Sequence, residues 1–157
     1  LIKEIIDRGV DPKRLIFGER LARAEYLARY RVADLFLDTH PYNAGTTASD
    51  ALKMGLPILT MKGESYQARM GSSIVNAVNL PELITNSQED YESLAIELAT
   101  NPDKLRVIKE KLAGNLTTAP LYDTKLFVKN IESAYMQMYE RHHKGLEPDH
   151  IYISIPK

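Results

Sequence analysis

The 157-residue sequence contains no cysteine. Disulfides, thiolate-held zinc and cysteine nucleophiles are therefore all excluded, and a reducing, cytoplasmic setting is the expectation. Long hydrophobic runs are missing too: nothing approaches the roughly 18 apolar residues of a membrane span. The opening LIKEIIDRGV carries charges where a secretory leader would be apolar. Excess charge of either sign is absent, since 20 Lys+Arg face 21 Asp+Glu for a formal charge of -1. No sequence-wide field draws nucleic acid or an anionic membrane, so any anion recognition must be local. There is no internal repeat, low-complexity linker or sustained heptad, and no spacing of ligands that suggests a metal site.

What is present is enough apolar material, 44% of residues, to bury one substantial core, so residues 1–157 are expected to form a single unit. The first residues place Leu1, Ile2, Ile5 and Ile6 at helical spacing before Gly9. A chain that opens inside a helix, with no cap and no Met, is expected to have lost residues upstream. RLIF at 14–17 reads as a strand, and residues 20–33 as a helix with Leu21, Ala24, Leu27 and Ala28 on one stripe. DLFLD at 34–38 reads as a buried strand. A helix from about Thr47 to Met54 and a strand LPILTM at 56–61 follow. Further helices are expected over 65–78, with Gly71 as a weak point, over 87–100, from Asn101-Pro102 onward, and over about 124–143 within a C-terminal segment 124–145. That last helix sets Phe127, Ile131, Tyr135 and Met138 on one side. LPELI at 80–84 is a short strand or turn. Apolar strands alternating with helices predict right-handed βαβ units and a Rossmann-like parallel sheet flanked by helices, an α/β fold.

In such a sheet, ligands gather beyond the carboxyl ends of the strands. The stretch LDTHPYNAGTTASD, at 37–50, sits there. Asn43, Ala44 and Gly45 allow close approach of the backbone to a ligand, because Gly45 lacks a side chain and tolerates positive φ. Thr46 and Thr47 offer hydroxyls and, at a helix start, free N–H groups along the positive end of a dipole. A phosphate is what such a place binds. Asp50, one turn further, can reach a sugar hydroxyl or brace the helix. The same residues also read as an ordinary N-cap and turn. Arg23, Tyr26 and Arg29, at i, i+3 and i+6, share one helix face where a ring between two cations can stack on a flat base; a solvated basic face fits them equally well.

Other candidates are thinner. His40 stands in the loop without an evident partner, and His142-His143 near a helix end suit the dipole there. Asp34 and Asp38 flank a strand, and no nucleophile with a recognisable base stands out. DLFLD also brings to mind a receiver-like signalling domain, which needs an earlier acidic cluster and a later lysine that are not evident.

The segments RLIF, VADLFLDTHPYNAGTTASDALKMGLPILTMKGESYQARMGSSI, LPELI and LTTAPLYDTKLFVKNIESAYMQMY, in this order and spacing, resemble the C-terminal catalytic lobe of the O-linked N-acetylglucosamine transferases and their bacterial relatives, glycosyltransferase family 41. The resemblance covers about residues 13–145. It implies one half of the two-lobed GT-B architecture, in a parent chain usually carrying tetratricopeptide repeats, with this half holding the UDP of a UDP-N-acetylglucosamine donor. By resemblance Gly45, Thr46 and Thr47 meet the diphosphate, Asp50 takes the ribose or braces the loop, and Arg23, Tyr26 and Arg29 lie near the ribose and base.

The chain departs from the pattern in places. Gly45 stands where the animal enzymes have a histidine, which removes one phosphate hydrogen bond, and Tyr26 replaces a histidine, which keeps stacking. The family's phosphate-binding lysine and neighbouring glutamine lie upstream of the first strand of the lobe, so the chain is expected to be a fragment lacking that strand and the N-terminal lobe. The implied reaction is an inverting transfer to Ser or Thr of a protein acceptor, with no cofactor or metal, in which these residues stabilise departing UDP. No general base is implied among them, and the isolated fragment is expected to be inactive. A non-catalytic nucleotide- or protein-binding module of the same fold remains an alternative, and apolar surface left by the missing strand is expected to favour self-association.

Overall fold

In the computed structural model, which describes residues 1–153, two short helices, α1 (Ile2–Asp7) and α2 (Arg23–Arg29), precede the first strand, β1 (Phe36–Leu37). Helix α3 (Thr46–Lys53) leads to β2 (Ile58–Met61), and α4 (Tyr66–Ala77) leads to β3 (Ile84–Thr85). Three helices follow: α5 (Gln88–Thr100), α6 (Pro102–Asn115) and α7 (Thr124–His143). The strands are parallel in the order β1-β2-β3, with Phe36 opposite Ile58 and Thr60 opposite Ile84. The expected parallel α/β sheet flanked by helices is therefore present, reduced to three strands.

The elements follow from local chemistry. Ser65, Ser87, Asn101 and Asp123 each accept the backbone N–H of the third residue of the helix they open, which satisfies a donor the helix cannot pair itself. Pro102 begins α6 at a position where its missing N–H costs nothing. Gly55, at φ +84, closes α3 by sending its N–H to Leu52 and the following Leu56 N–H to Ala51. A residue with a Cβ would be strained in that left-handed turn.

β2 runs through the core, where Ile58, Leu59 and Thr60 are fully buried. Ala48, Ala51 and Leu52 of α3 lie at i, i+3 and i+4 against it, with Val75 and Val78 after α4's buried Ala68 and Gly71. Leu98 and Leu112 bring in α5 and α6. Each such Leu or Val contributes about 1.5–3 kcal/mol through burial.

Several expectations fail, for one shared reason. RLIF forms no strand: Pro12–Arg14 is a 3-10 turn, and Ile16 and Phe17 stand exposed. DLFLD pairs only through Phe36 and Leu37, and Leu37 is 55% exposed. The helix expected over 20–33 keeps only its middle, and its Leu21–Ala28 stripe contains no buried residue. α7 does span the expected Thr124–His143, and its stripe faces outward, with Phe127, Tyr135 and Met138 exposed and Ile131 half-buried. Apolar strands and stripes are buried only where a neighbouring layer exists, and β1 has one on a single side. No helix among the described residues is long and apolar enough to cross a membrane.

Candidate functional site

The loop from β1 to α3 is held from below by two buried polar side chains. Asp38, 6% exposed, accepts Thr60 Oγ1 at 2.7 Å, Ala44 N at 2.8 Å and Thr39 N at 2.9 Å. Asn43, 2% exposed, donates through Nδ2 to Thr39 O at 2.7 Å and accepts Gly71 N at 3.4 Å, while its own N–H goes to Gln67 O at 3.2 Å. Buried groups so thoroughly paired fix a single loop conformation. Gly71, expected to weaken α4, is what permits this. A Cβ there would fall 2.3 Å from Thr60 Oγ1 and 2.4 Å from Asp38 Oδ2. Asn43 therefore serves the loop from inside, with its side chain turned away from the surface.

Above this support, α3 starts bare. Gly45 is the N-cap and contributes no side-chain cap, so neither threonine fills that place. Thr46 and Thr47 are exposed, and the N–H groups of Thr46, Thr47 and Ala48 have no hydrogen-bond partner among the described residues. Gly45 has φ -103, so its tolerance of positive φ goes unused. Added there, a Cβ would make only ordinary contact, 3.7 Å from Met70 Cγ.

Asp50, one turn inside α3, meets α2. Arg23 grips it through two bonds of 2.7 Å each, Nη1 to Oδ2 and Nη2 to Oδ1, and that pairing holds the guanidinium pKa above its ordinary value. Arg23 Cζ also lies 5.5 Å from the Tyr26 ring centroid, within cation–π range. Tyr26 and Tyr30 pack edge-to-face at 5.2 Å and share a hydrogen bond between their hydroxyls. Burial first, then that bond, pushes the Tyr30 phenol well up. Through Arg23, Asp50 is tied across to α2 rather than to the loop ahead of its own helix. Arg29 leaves the group: its Nη2 donates to Glu19 O at 2.6 Å, and its guanidinium lies over Gly18.

The weaker candidates separate. Asp34 is exposed and paired with Lys109 at 2.7 Å, far in character from buried Asp38, so the two form no acid/base pair. His142 and His143 end α7, with the His143 ring 4.2 Å from that of Tyr139. No group of three or more His, Asp or Glu arranged for a metal occurs among the described residues. His40 lines a pocket at the carboxyl edge of the sheet. A larger cavity, of about 480 Å³, lies between Leu35, Leu98 and Leu105, with Asp34, Arg106 and Lys109 also on its walls and no residue of α3 among them. Sequence reasoning missed Thr60, Gly71 and Tyr91, whose OH donates to Asp38 O at 2.8 Å. Their partners are 11 to 53 positions away, so no local pattern announces them.

Comparison with known proteins gives one consistent answer. The family described as "Glycosyl transferase family 41" matches residues 1–131. A Caenorhabditis elegans protein named "UDP-N-acetylglucosamine--peptide N-acetylglucosaminyltransferase" is 35% identical over 149 residues, 95% of this chain and 13% of the relative. An Arabidopsis thaliana protein, "Probable UDP-N-acetylglucosamine--peptide N-acetylglucosaminyltransferase SEC", is 37% identical over 144 residues, 91% of this chain and 15% of the relative. The solved structure of a Thermobaculum terrenum O-GlcNAc transferase mutant, K341M, superimposes with a TM-score of 0.82 at 33% identity, covering 88% of this chain and 26% of that one. The chain thus spans a small part of each protein it matches.

Proposed function

The chain belongs to glycosyl transferase family 41, and from that premise we propose that it supplies the donor-binding lobe of a GT-B enzyme that moves N-acetylglucosamine from UDP to Ser or Thr of a protein. The observation that carries this reading is the bare N-terminus of α3: exposed Thr46 and Thr47 with unpartnered amides, held by the buried Asp38–Asn43 network. Free N–H groups at a dipole's positive end favour a diphosphate. Their fixed placement means that little reorganisation is needed as charge builds on departing UDP. Gly45 leaves space for the phosphate. Tyr26, with Arg23 over its ring, offers the uracil a stacking face, and the Arg23–Asp50 pair a polar edge for the ribose. Amides and guanidinium groups supply the positive potential, so the reading includes no metal and no cofactor.

The described residues hold no general base beside this site, so attack by the acceptor hydroxyl draws on other parts of a two-lobed enzyme with tetratricopeptide repeats, in the cytoplasm. The 157-residue chain is therefore expected to bind the donor without turning it over. Exposed Ile16, Phe17 and the outer face of α7 add self-association of the chain to the proposal. Calorimetric titration with UDP, beside GDP and inorganic phosphate, tests the site. UDP-selective binding weakened by both Thr47→Ala and Tyr26→Ala supports it; UDP binding that neither substitution alters would place the nucleotide elsewhere and refute it.

A further inference from the structure

Residues 116–123 connect α6 to α7, and on the way this segment reaches α3. Asn115, the last residue of α6, donates through Nδ2 to Val78 O at 2.9 Å. Ala119 is buried, and Leu121 and Tyr122 pack against the core beside it. The segment ends in a 3-10 turn, Pro120–Tyr122, after which Asp123 caps α7 by accepting the Leu126 N–H at 2.9 Å. Within that turn the half-buried Tyr122 donates its hydroxyl to Ser49 O of α3 at 2.8 Å, across 73 positions of sequence.

Packing alone does not call for this hydroxyl. The ring fills the space, and a phenylalanine would fill it equally. Ser49 O lies inside α3, where helix geometry already offers it the N–H four residues on, so losing the phenol strands no buried acceptor. What the bond adds is position. α3 has eight residues and a glycine N-cap without a side-chain bond, and helix ends of that kind fray. Three points nevertheless hold its first turn, each from a different part of the chain. Asp38 accepts the Ala44 N–H ahead of it, Arg23 grips Asp50 from α2, and Tyr122 holds Ser49 O, on the residue next to Asp50. Ser49 N donates to Gly45 O at 3.0 Å, so the tethered residue closes the very turn that carries the bare Thr46, Thr47 and Ala48 amides. Burial, and after it the nearby Asp50 carboxylate, raises the Tyr122 phenol above its ordinary value. The group is therefore a donor throughout the neutral range.

We propose that Tyr122 is a positioning residue for the phosphate end of the site: through Ser49 its hydroxyl fixes the first turn of α3, so that the three free amides stay aimed at one diphosphate. The proposal rests on the donor-lobe reading and extends its machinery to the segment between α6 and α7. Tyr122 itself touches no ligand in this role. It acts on the direction of the N–H groups, and because their attraction for an anion depends on alignment, a small tilt of the turn weakens all three together.

The test compares the unaltered chain with Tyr122→Phe and Asn115→Ala, recording backbone amide spectra of each free chain and calorimetric titrations with inorganic pyrophosphate and with UDP. Tyr122→Phe is expected to shift the Thr46–Asp50 amides while β2 and α5 stay unmoved. It should weaken pyrophosphate and UDP by the same factor, about three- to tenfold, as one lost hydrogen bond does. Asn115→Ala loosens the other end of the same segment, so it is expected to lower Tm and leave both affinities unchanged. That contrast separates positioning from general packing. The proposal is overturned if Tyr122→Phe leaves the α3 amides and the pyrophosphate affinity intact, if it weakens UDP alone, or if Asn115→Ala weakens pyrophosphate as much. If neither ligand moves Gly45–Ala48 in the unaltered chain, the donor-lobe reading fails by itself, because the Tyr122→Phe shifts are read without ligand and judge the tether separately.

Discussion

Replacing Asp38 separates the role of a buried hydrogen-bond hub from that of a merely polar loop residue. Its carboxylate receives three donors, at 2.7, 2.8 and 2.9 Å. One of them, Thr60 Oγ1, belongs to a residue with no solvent exposure. Asp38→Ala strands that hydroxyl and the Ala44 N–H. A hydrogen bond to a charged acceptor is worth about 1.5–3 kcal/mol. Water can reach Thr39, so two of the three bonds dominate, and the expected loss is about 3–5 kcal/mol. Asp38→Asn keeps the shape. Its Oδ1 still accepts both N–H groups, and the Thr60 hydroxyl can rotate to accept from the new amide, so the loss falls to about 1–2 kcal/mol. Thr60→Val removes a single bond and costs a similar amount. Urea unfolding at neutral pH measures all three. At about 2–4 °C per kcal/mol for a chain of this size, Asp38→Ala should also lower Tm by roughly 10 °C. If Asp38→Ala costs less than about 1 kcal/mol, or Asp38→Asn costs as much as Asp38→Ala, the hub argument is wrong.

Two glycines inside helices should respond oppositely to alanine: Gly114→Ala, with nothing within 4 Å of the new Cβ, gains about 0.5–1 kcal/mol, whereas Gly71→Ala loses about 1–3 kcal/mol by overpacking against Thr60 and Asp38. Equal signs in denaturant midpoints would contradict the packing at Gly71. Tyr91 is pushed up to about 12, mainly by burial and next by the nearby Asp38 charge. The folded state therefore favours the neutral phenol, and this stabilisation is complete below about pH 10 and lost as pH rises toward 12. Tyr91→Phe should flatten that part of the stability–pH curve, and an unchanged slope between pH 10 and 12 would count against it. Asp50→Asn breaks the two-bond grip of Arg23; UDP affinity should fall while phosphate affinity holds, and calorimetry showing both reduced alike would assign Asp50 to the phosphate end instead.

Much of the architecture was legible because it rests on short-range chemistry. Ser65, Ser87, Asn101 with Pro102, and Asp123 mark helix starts by satisfying N–H groups three residues away. The run around Ile58 and Leu59 reads as a central strand because burial on both faces demands an unbroken apolar stretch. The small residues before Thr46 could likewise be read as a helix entrance open to an anion, since the missing cap is a property of Gly45 itself.

Other features required the assembled chain. RLIF has the composition of a strand, yet strand formation depends on a neighbour to share hydrogen bonds, and none lies beside it here. The stripe on α7 has the right period, but periodicity states which residues share a face and not whether another layer covers it. By sequence Asp38 is only an acidic residue flanking a strand, and folding brings Thr60, Ala44 and Tyr91 to it. Arg29 lay on the face of Arg23 and Tyr26 by spacing, and the long guanidinium then found Glu19. The sequence by itself determined where the helices from α3 onward begin, because caps and turns act within a few residues. Tertiary structure alone decided which polar groups meet, because hydrogen bonds and close packing depend on distance in space and not on separation along the chain.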